Sequence, residues 1–112
     1  MELHPGVFLS KVSVEGAEHW QSDPEVGGEA HVLCDADGVQ AGLWRMRKTP
    51  EKPIPFTAAT RETILVLEGS VRIEIAGGPT LELAPGDIAS LPKGAETRWH
   101  VTAPFKELWV LA

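Results

Sequence analysis

A chain of 112 residues, 43% hydrophobic and 23% charged, has the size of one domain. At 12.1 kDa, surface scaling buries roughly two thirds of what the extended chain exposes, so a core without disulfides is feasible. A net charge of -6 excludes general affinity for a phosphate backbone, and the single Cys34 excludes an internal disulfide or a cysteine-based zinc ribbon.

Composition narrows the fold as well. The 11 glycines and 9 prolines are expelled from helix interiors and mark tight turns, which rules out a helical bundle. No apolar run approaches the roughly 20 residues needed to cross a bilayer. Residues 1–16 lack an apolar signal core, so the expectation is a cytoplasmic protein with neither a membrane nor a nucleic-acid partner. Charge is uneven: residues 1–37 set eight acids against Lys11, whereas residues 39–61 set Arg45, Arg47, Lys48, Lys52 and Arg61 against Glu51. A local anion site stays open in the second stretch.

Taken in order, the N-terminal residues 1–29 are the least legible. Residues 11–15 alternate like an edge strand, and residues 16–20 would make one helical turn. Residues 30–34 and 40–48 flank Asp35-Ala36-Asp37-Gly38, which predicts a hairpin. The three prolines in 49–61 predict a long, stiffened excursion between strands. From residue 63 onward short apolar segments alternate with Gly69-Ser70, 76–79, 84–87, 92–94 and Ala103-Pro104 at a beat of about eight residues, the rhythm of a sandwich or barrel. Residues 71–75 and 80–83 alternate and should wet one face; residues 64–67 do not, which predicts a strand covered on both sides. The C-terminal residues 105–112 are apolar enough to demand burial inside the barrel.

Two segments have a recognisable spacing. Glu62, six residues and Gly69 form one; Gly86, five residues, Pro92, one residue and Gly94 form the other, with Thr97 three further on. Over residues 43–111 the chain resembles the cupins, small jelly-roll barrels, and within them the ureidoglycine aminohydrolase-like branch, sometimes called the third cupin family. The resemblance implies an all-β jelly-roll barrel: one domain over 1–112, with the motif-bearing core at about 30–112. Independently of any name, Gly69 and Gly86 read as points of strand reversal, and Pro92 and Gly94 as turn-setting residues.

The resemblance also bears on metal. Metal-bearing cupins supply two histidines ahead of the glutamate and a third in the second motif. Here those places hold Phe56 and Ala58, or Pro55 and Thr57, and then Thr97. Glu62 alone remains, and one carboxylate cannot hold a transition metal selectively. No metal and no other cofactor is therefore expected. If Thr97 points inward, Trp99 and Val101 do too, and His100 faces out.

Glu62 is the catalytic candidate: on the inward register it shares a face with Ile64 and Val66, where burial would raise its pKa and suit it to general acid or base work. The alternative is a carboxylate held by a hydroxyl or an arginine. Trp44, Phe56, Thr97 and Trp99 are the candidate ligand-binding residues, the aromatics either stacking a ring at the mouth or filling an ordinary core. Arg45 and Arg47 oppose Trp44 and Met46 on their strand, and either face is open to the barrel. His31 and Cys34, three apart on one strand, should face opposite ways and not act as base and nucleophile. The chain has no tyrosine, which argues against the metal-free sugar epimerases of the superfamily. The expectation is a homodimer binding a small polar metabolite without a metal. The alternatives are a metal-dependent small-molecule enzyme with atypical ligands and a non-catalytic sensory or interaction module.

Overall fold

The computed structural model describes residues 1–11 and 19–112. The edge strand and helical turn expected over 11–20 fall largely on residues 12–18, outside the described residues. The described residues form ten strands in order: β1 (Glu2–His4), β2 (Val7–Phe8), β3 (Gln21–Ser22), β4 (Glu29–Ala36), β5 (Val39–Met46), β6 (Ile54–Thr57), β7 (Glu62–Ile75), β8 (Thr80–Leu83), β9 (Ile88–Leu91) and β10 (Glu96–Leu111). Among the described residues no helix is long and apolar enough to cross a membrane.

β1 and β2 form a small ribbon; the rest make one rolled antiparallel sheet in the order β3-β4-β5-β10-β7-β8, with β6 on β10 and β9 on β7. Register shows how it rolls. The first half of β7 and the second half of β10 pair with each other, with β9 and with β5; their other halves pair with each other, with β8 and with β6. Each long strand thus passes from one sheet to the other, and so do the successive pairs β5–β6 and β8–β9. This is the all-β jelly roll that the resemblance implied.

The corner has a local cause. Between Thr102↔Ser70 and Lys106↔Glu68 the ladder shifts, so that Ala103, Pro104 and Phe105 stand opposite Gly69 alone. Gly69 has φ 76°, and a Cβ there would lie 2.2 Å from the Pro104 carbonyl oxygen; only glycine permits this bulge. The expectation that Gly69 and Gly86 reverse the chain is therefore corrected. Gly69 bends β7 without ending it. Gly86 donates its N–H to the Val66 carbonyl oxygen at 2.8 Å and carries β8 into β9 along the same strand. Bulges let strands switch sheets at a packed corner, and from the sequence they are hard to tell from turns.

The hairpin of β4 and β5 is as expected, with Asp37 and Gly38 both at positive φ, the requirement of a tight two-residue connection. The excursion at 49–61 contains a strand the sequence did not suggest: β6 lies at a sheet edge, where Pro55 forfeits no ladder bond. Residues 64–67 are not covered on both sides. Ile64 and Val66 are buried, while Leu67 is 40% exposed. Phe105, Ile64, Ile73 and Val66 are the most deeply buried large side chains, each contributing roughly 1.5–3 kcal/mol by leaving water. Phe105 sits at the corner and holds the two sheets on one core.

Outside the barrel, Trp20 packs on the far face of β4 and β5, against His31 and Arg45. Arg45 lies on that face with its guanidinium 4.0 Å from the Trp20 ring centroid and bonds the Glu29 carboxylate at 3.1 Å. Arg47 bonds the same carboxylate at 3.0 Å but stays exposed. A bulge between Val32 and Cys34 changes the β4 register, so His31 and Cys34 oppose Leu43 and Ala41 on one face of β5. The expectation of opposite faces fails for that reason. His31 nonetheless uses its ring elsewhere: Nδ1 donates to the His19 carbonyl oxygen at 2.8 Å and Nε2 pairs with the Ser10 hydroxyl at 2.7 Å.

Candidate functional site

Within the roll, between its two halves, is a cavity of about 180 Å³ lined by Asp23, Glu25, Val26, Trp44, Ile54, Phe56, Glu62, Trp99, Glu107, Trp109 and Leu111. That is the liquid volume of about six waters. Strand alternation accounts for the floor: Glu62 pairs with Leu111, Ile64 with Trp109 and Val66 with Glu107, which puts all six side chains on the inner face. Across β10, Trp44 faces Glu107 and Gly42 faces Trp109. A Cβ on Gly42 would meet the Trp109 ring at 2.9 Å and the His31 carbonyl oxygen at 2.3 Å, so glycine at 42 leaves the room that the Trp109 indole occupies.

The walls are held by specific bonds. Trp44 donates its indole N–H to the Gly27 carbonyl oxygen at 2.9 Å, and its ring meets Trp99 edge to face at 6.3 Å between centroids. Trp99 donates its indole N–H to the Thr97 hydroxyl at 2.9 Å, and that hydroxyl donates to the Phe56 carbonyl oxygen at 2.6 Å. The mouth is the turn 23–28, shaped by the Asp23 carboxylate, which accepts from the Glu25 and Val26 backbone N–H groups at 2.9 and 3.2 Å.

Of the residues singled out from the sequence, Glu62, Trp44, Phe56 and Trp99 come together around this cavity. Thr97 lies beside it and orients Trp99. Glu107, Trp109 and the 23–28 turn were missed. The signal for Glu107 was present: Phe105, Glu107 and Trp109 share one parity in an apolar strand, so a core-facing Phe105 implies a core-facing glutamate.

The two glutamates are the site's chemistry. Glu62 is 6% exposed and Glu107 3% exposed, and among the described residues no hydrogen-bond donor or ion-pair partner reaches either carboxyl. Burial raises the Glu62 pKa from 4.5 to about 7. Glu107 is pushed well above the ordinary carboxylate range, first by burial and then by the Glu62 charge. Two like-charged groups in one apolar site resist ionising together. At neutral pH the pair therefore holds at least one proton that it can give, and a site to which one can return.

The arrangement does not fit a resident transition metal. At the positions that serve as ligands in metal-bearing cupins only Glu62 carries a suitable donor, and the Thr97 hydroxyl is committed to Phe56 and Trp99. Among the described residues no group of three or more His, Cys, Asp or Glu side chains is placed to hold a metal ion. His100 faces outward as expected, half-buried and bonded to Glu74.

Solved structures share this architecture. A protein of Salmonella typhimurium titled "putative ethanolamine utilization protein q" superposes with TM-score 0.68 at 20% identity, over 94% of this chain and 93% of its own. The EutQ protein of Clostridium difficile superposes with TM-score 0.67 at 18% identity, over 89% and 81%. A cupin superfamily protein of Desulfitobacterium hafniense gives 0.64 at 19% identity, over 73% of each chain. At such identities the likeness is one of fold. No curated protein matches the sequence. Residues 35–107, more than half of the chain, match the family model of the EutQ-like cupin domain, and with its jelly roll the chain belongs to that cupin family.

Proposed function

We propose that this cupin binds a small polar metabolite in its barrel without a metal, with Glu62 as the group that takes or gives a proton. The observation that carries it is the cavity itself: two buried carboxyls, without a hydrogen-bond or ion-pair partner among the described residues, line a half-open space together with three indoles. Unpaired carboxyls cost stability in an apolar interior, and a ligand that bonds to them offsets that cost. Glu62, with a pKa of about 7, is poised for acid or base work near neutral pH. Trp44, Phe56 and Trp99 serve as stacking walls, and Thr97 keeps Trp99 in place.

The resemblance to the ureidoglycine aminohydrolase-like branch adds ureides to the proposed ligands, and the ethanolamine utilization protein among the structural relatives adds amino alcohols. A homodimer in the cytoplasm completes the proposal. The test is a tryptophan-fluorescence and thermal-shift screen of ureides, amino acids, amino alcohols and sugars, run on the parent and on Glu62→Gln. Ligands that shift the parent and shift the variant less support it. A screen without a response favours a non-catalytic interaction module. Stoichiometric manganese, iron, nickel or zinc in protein purified without chelators would overturn the metal-free reading.

A further inference from the structure

The charge around the cavity has one sign. Glu62 on β7, Glu107 on β10, and Asp23 and Glu25 in the mouth turn are the titratable groups that line it; β5 and β6 contribute Trp44, Ile54 and Phe56. Among the described residues no lysine, arginine or histidine lines it. The nearest basic side chains along these strands belong to the outer surface: Arg61 donates to the Ser90 hydroxyl at 3.0 Å, Arg45 lies over Trp20, and Lys106 has the outward parity of β10. An anion entering the barrel meets four carboxyl groups and no counter-charge. A neutral guest brings the floor carboxyls no counter-charge.

We infer that the cavity selects a compact organic cation, an alkylammonium head, which takes the Glu62 and Glu107 carboxylates as counter-charges and the indole faces as walls. This rests on the proposal that the barrel binds a small molecule and names the chemical class. The walls suit the guest: Trp44, Trp99 and Trp109 line the cavity, and tryptophan is the strongest of the aromatic partners for a cation that has lost its water. The small volume suits it too, since a short alkylammonium fills space comparable to a few waters. Entry of the cation favours the ionised carboxyls, so binding displaces a proton from the pair to buffer. Below the free-site pKa the affinity then falls, by up to about tenfold per pH unit for each proton released.

The experiment uses the whole chain and three probes of equal length, n-butylammonium, n-butanol and butyrate, by tryptophan fluorescence and calorimetry. At pH 8 the expected result is butylammonium bound at least about tenfold more tightly than butanol, with butyrate weakest. Between pH 7 and pH 5.5 the butylammonium affinity should drop by about tenfold or more while butanol changes little. Heats in two buffers of different ionisation enthalpy should report proton release near pH 7. Glu62→Gln and Glu107→Gln should each weaken butylammonium and spare butanol; the charge and pH comparisons on the parent protein need neither variant. Butanol or butyrate binding as tightly as butylammonium at pH 8 would overturn the choice of cation and leave the small-molecule site standing. Displacement of butylammonium by equimolar magnesium would overturn its organic character. If none of the three perturbs the tryptophans, the inference fails, and a response in the wider metabolite screen would show that the site it rests on still stands.

Discussion

Replacing Glu62 by glutamine should make the protein more stable, and increasingly so as pH rises. The carboxyl has a pKa of 4.5 in the unfolded chain and about 7 in the barrel. Below 4.5 it is protonated in both states and costs nothing; as pH climbs toward 7 the unfolded chain ionises first and is favoured; above 7 the penalty is constant. A raised carboxylate pKa thus means stability present in acid and lost toward neutrality. The shift corresponds to about 3 kcal/mol at full development, of which about 2 to 3 kcal/mol appears between pH 5 and pH 8. Glutamine keeps the shape and cannot ionise. Urea unfolding of parent and Glu62→Gln, followed by tryptophan fluorescence, should therefore show midpoints drawing apart by more than about 1 M over that range, given slopes of about 1–2 kcal/mol/M. Stability curves that stay parallel from pH 5 to pH 8 would refute the placement of an uncompensated carboxyl in the cavity.

Gly69→Ala places a methyl 2.2 Å from the Pro104 carbonyl oxygen at φ 76° and should cost at least about 2 kcal/mol, measured by denaturant unfolding; a cost under half of that would mean the corner is not constrained as described. Gly42→Ala should displace the Trp109 ring, seen as a shifted tryptophan emission and a loss of butylammonium binding, and unchanged emission would contradict the close approach there. The outer face of β7 and β9 presents Leu67 at 40% and Ile88 at 69% exposure beside Leu65, which pairs with Ile88. We expect this face to close the dimer, so Ile88→Glu should yield monomer in sedimentation. A parent that is itself monomeric at micromolar concentration removes that proposal.

Much of the barrel could be read from residue order because turn chemistry is local. Asp37-Gly38 and the 76–79 and 92–94 stretches announce reversals that the chain makes. The corners could not be read the same way: Gly69 looks like a turn residue, and its role depends on Ala103, Pro104 and Phe105, more than thirty positions away. β6 was hidden because Pro55 masks a strand that needs hydrogen bonds on one side only. Glu62 emerged from a motif and from parity. Glu107 required knowing that Phe105 faces the core, and the mouth turn required knowing where residues 23–28 return over β5. His31 and Cys34 show the same limit, since one unannounced bulge inverts a prediction made by counting.

The two long strands that turn the corner commit the cavity floor to the same rigid frame as the second sheet's core, while the mouth is a short turn whose Gly27 carbonyl oxygen accepts the Trp44 indole N–H. Such a barrel separates two kinds of selection. Glu25 and Val26 at the mouth can change to admit longer or broader guests without disturbing the carboxyl pair beneath, whereas a change in the size of a floor side chain must pass through the packing of both sheets. Descendants of this chain should therefore diverge readily at the mouth and slowly in the shape of the floor.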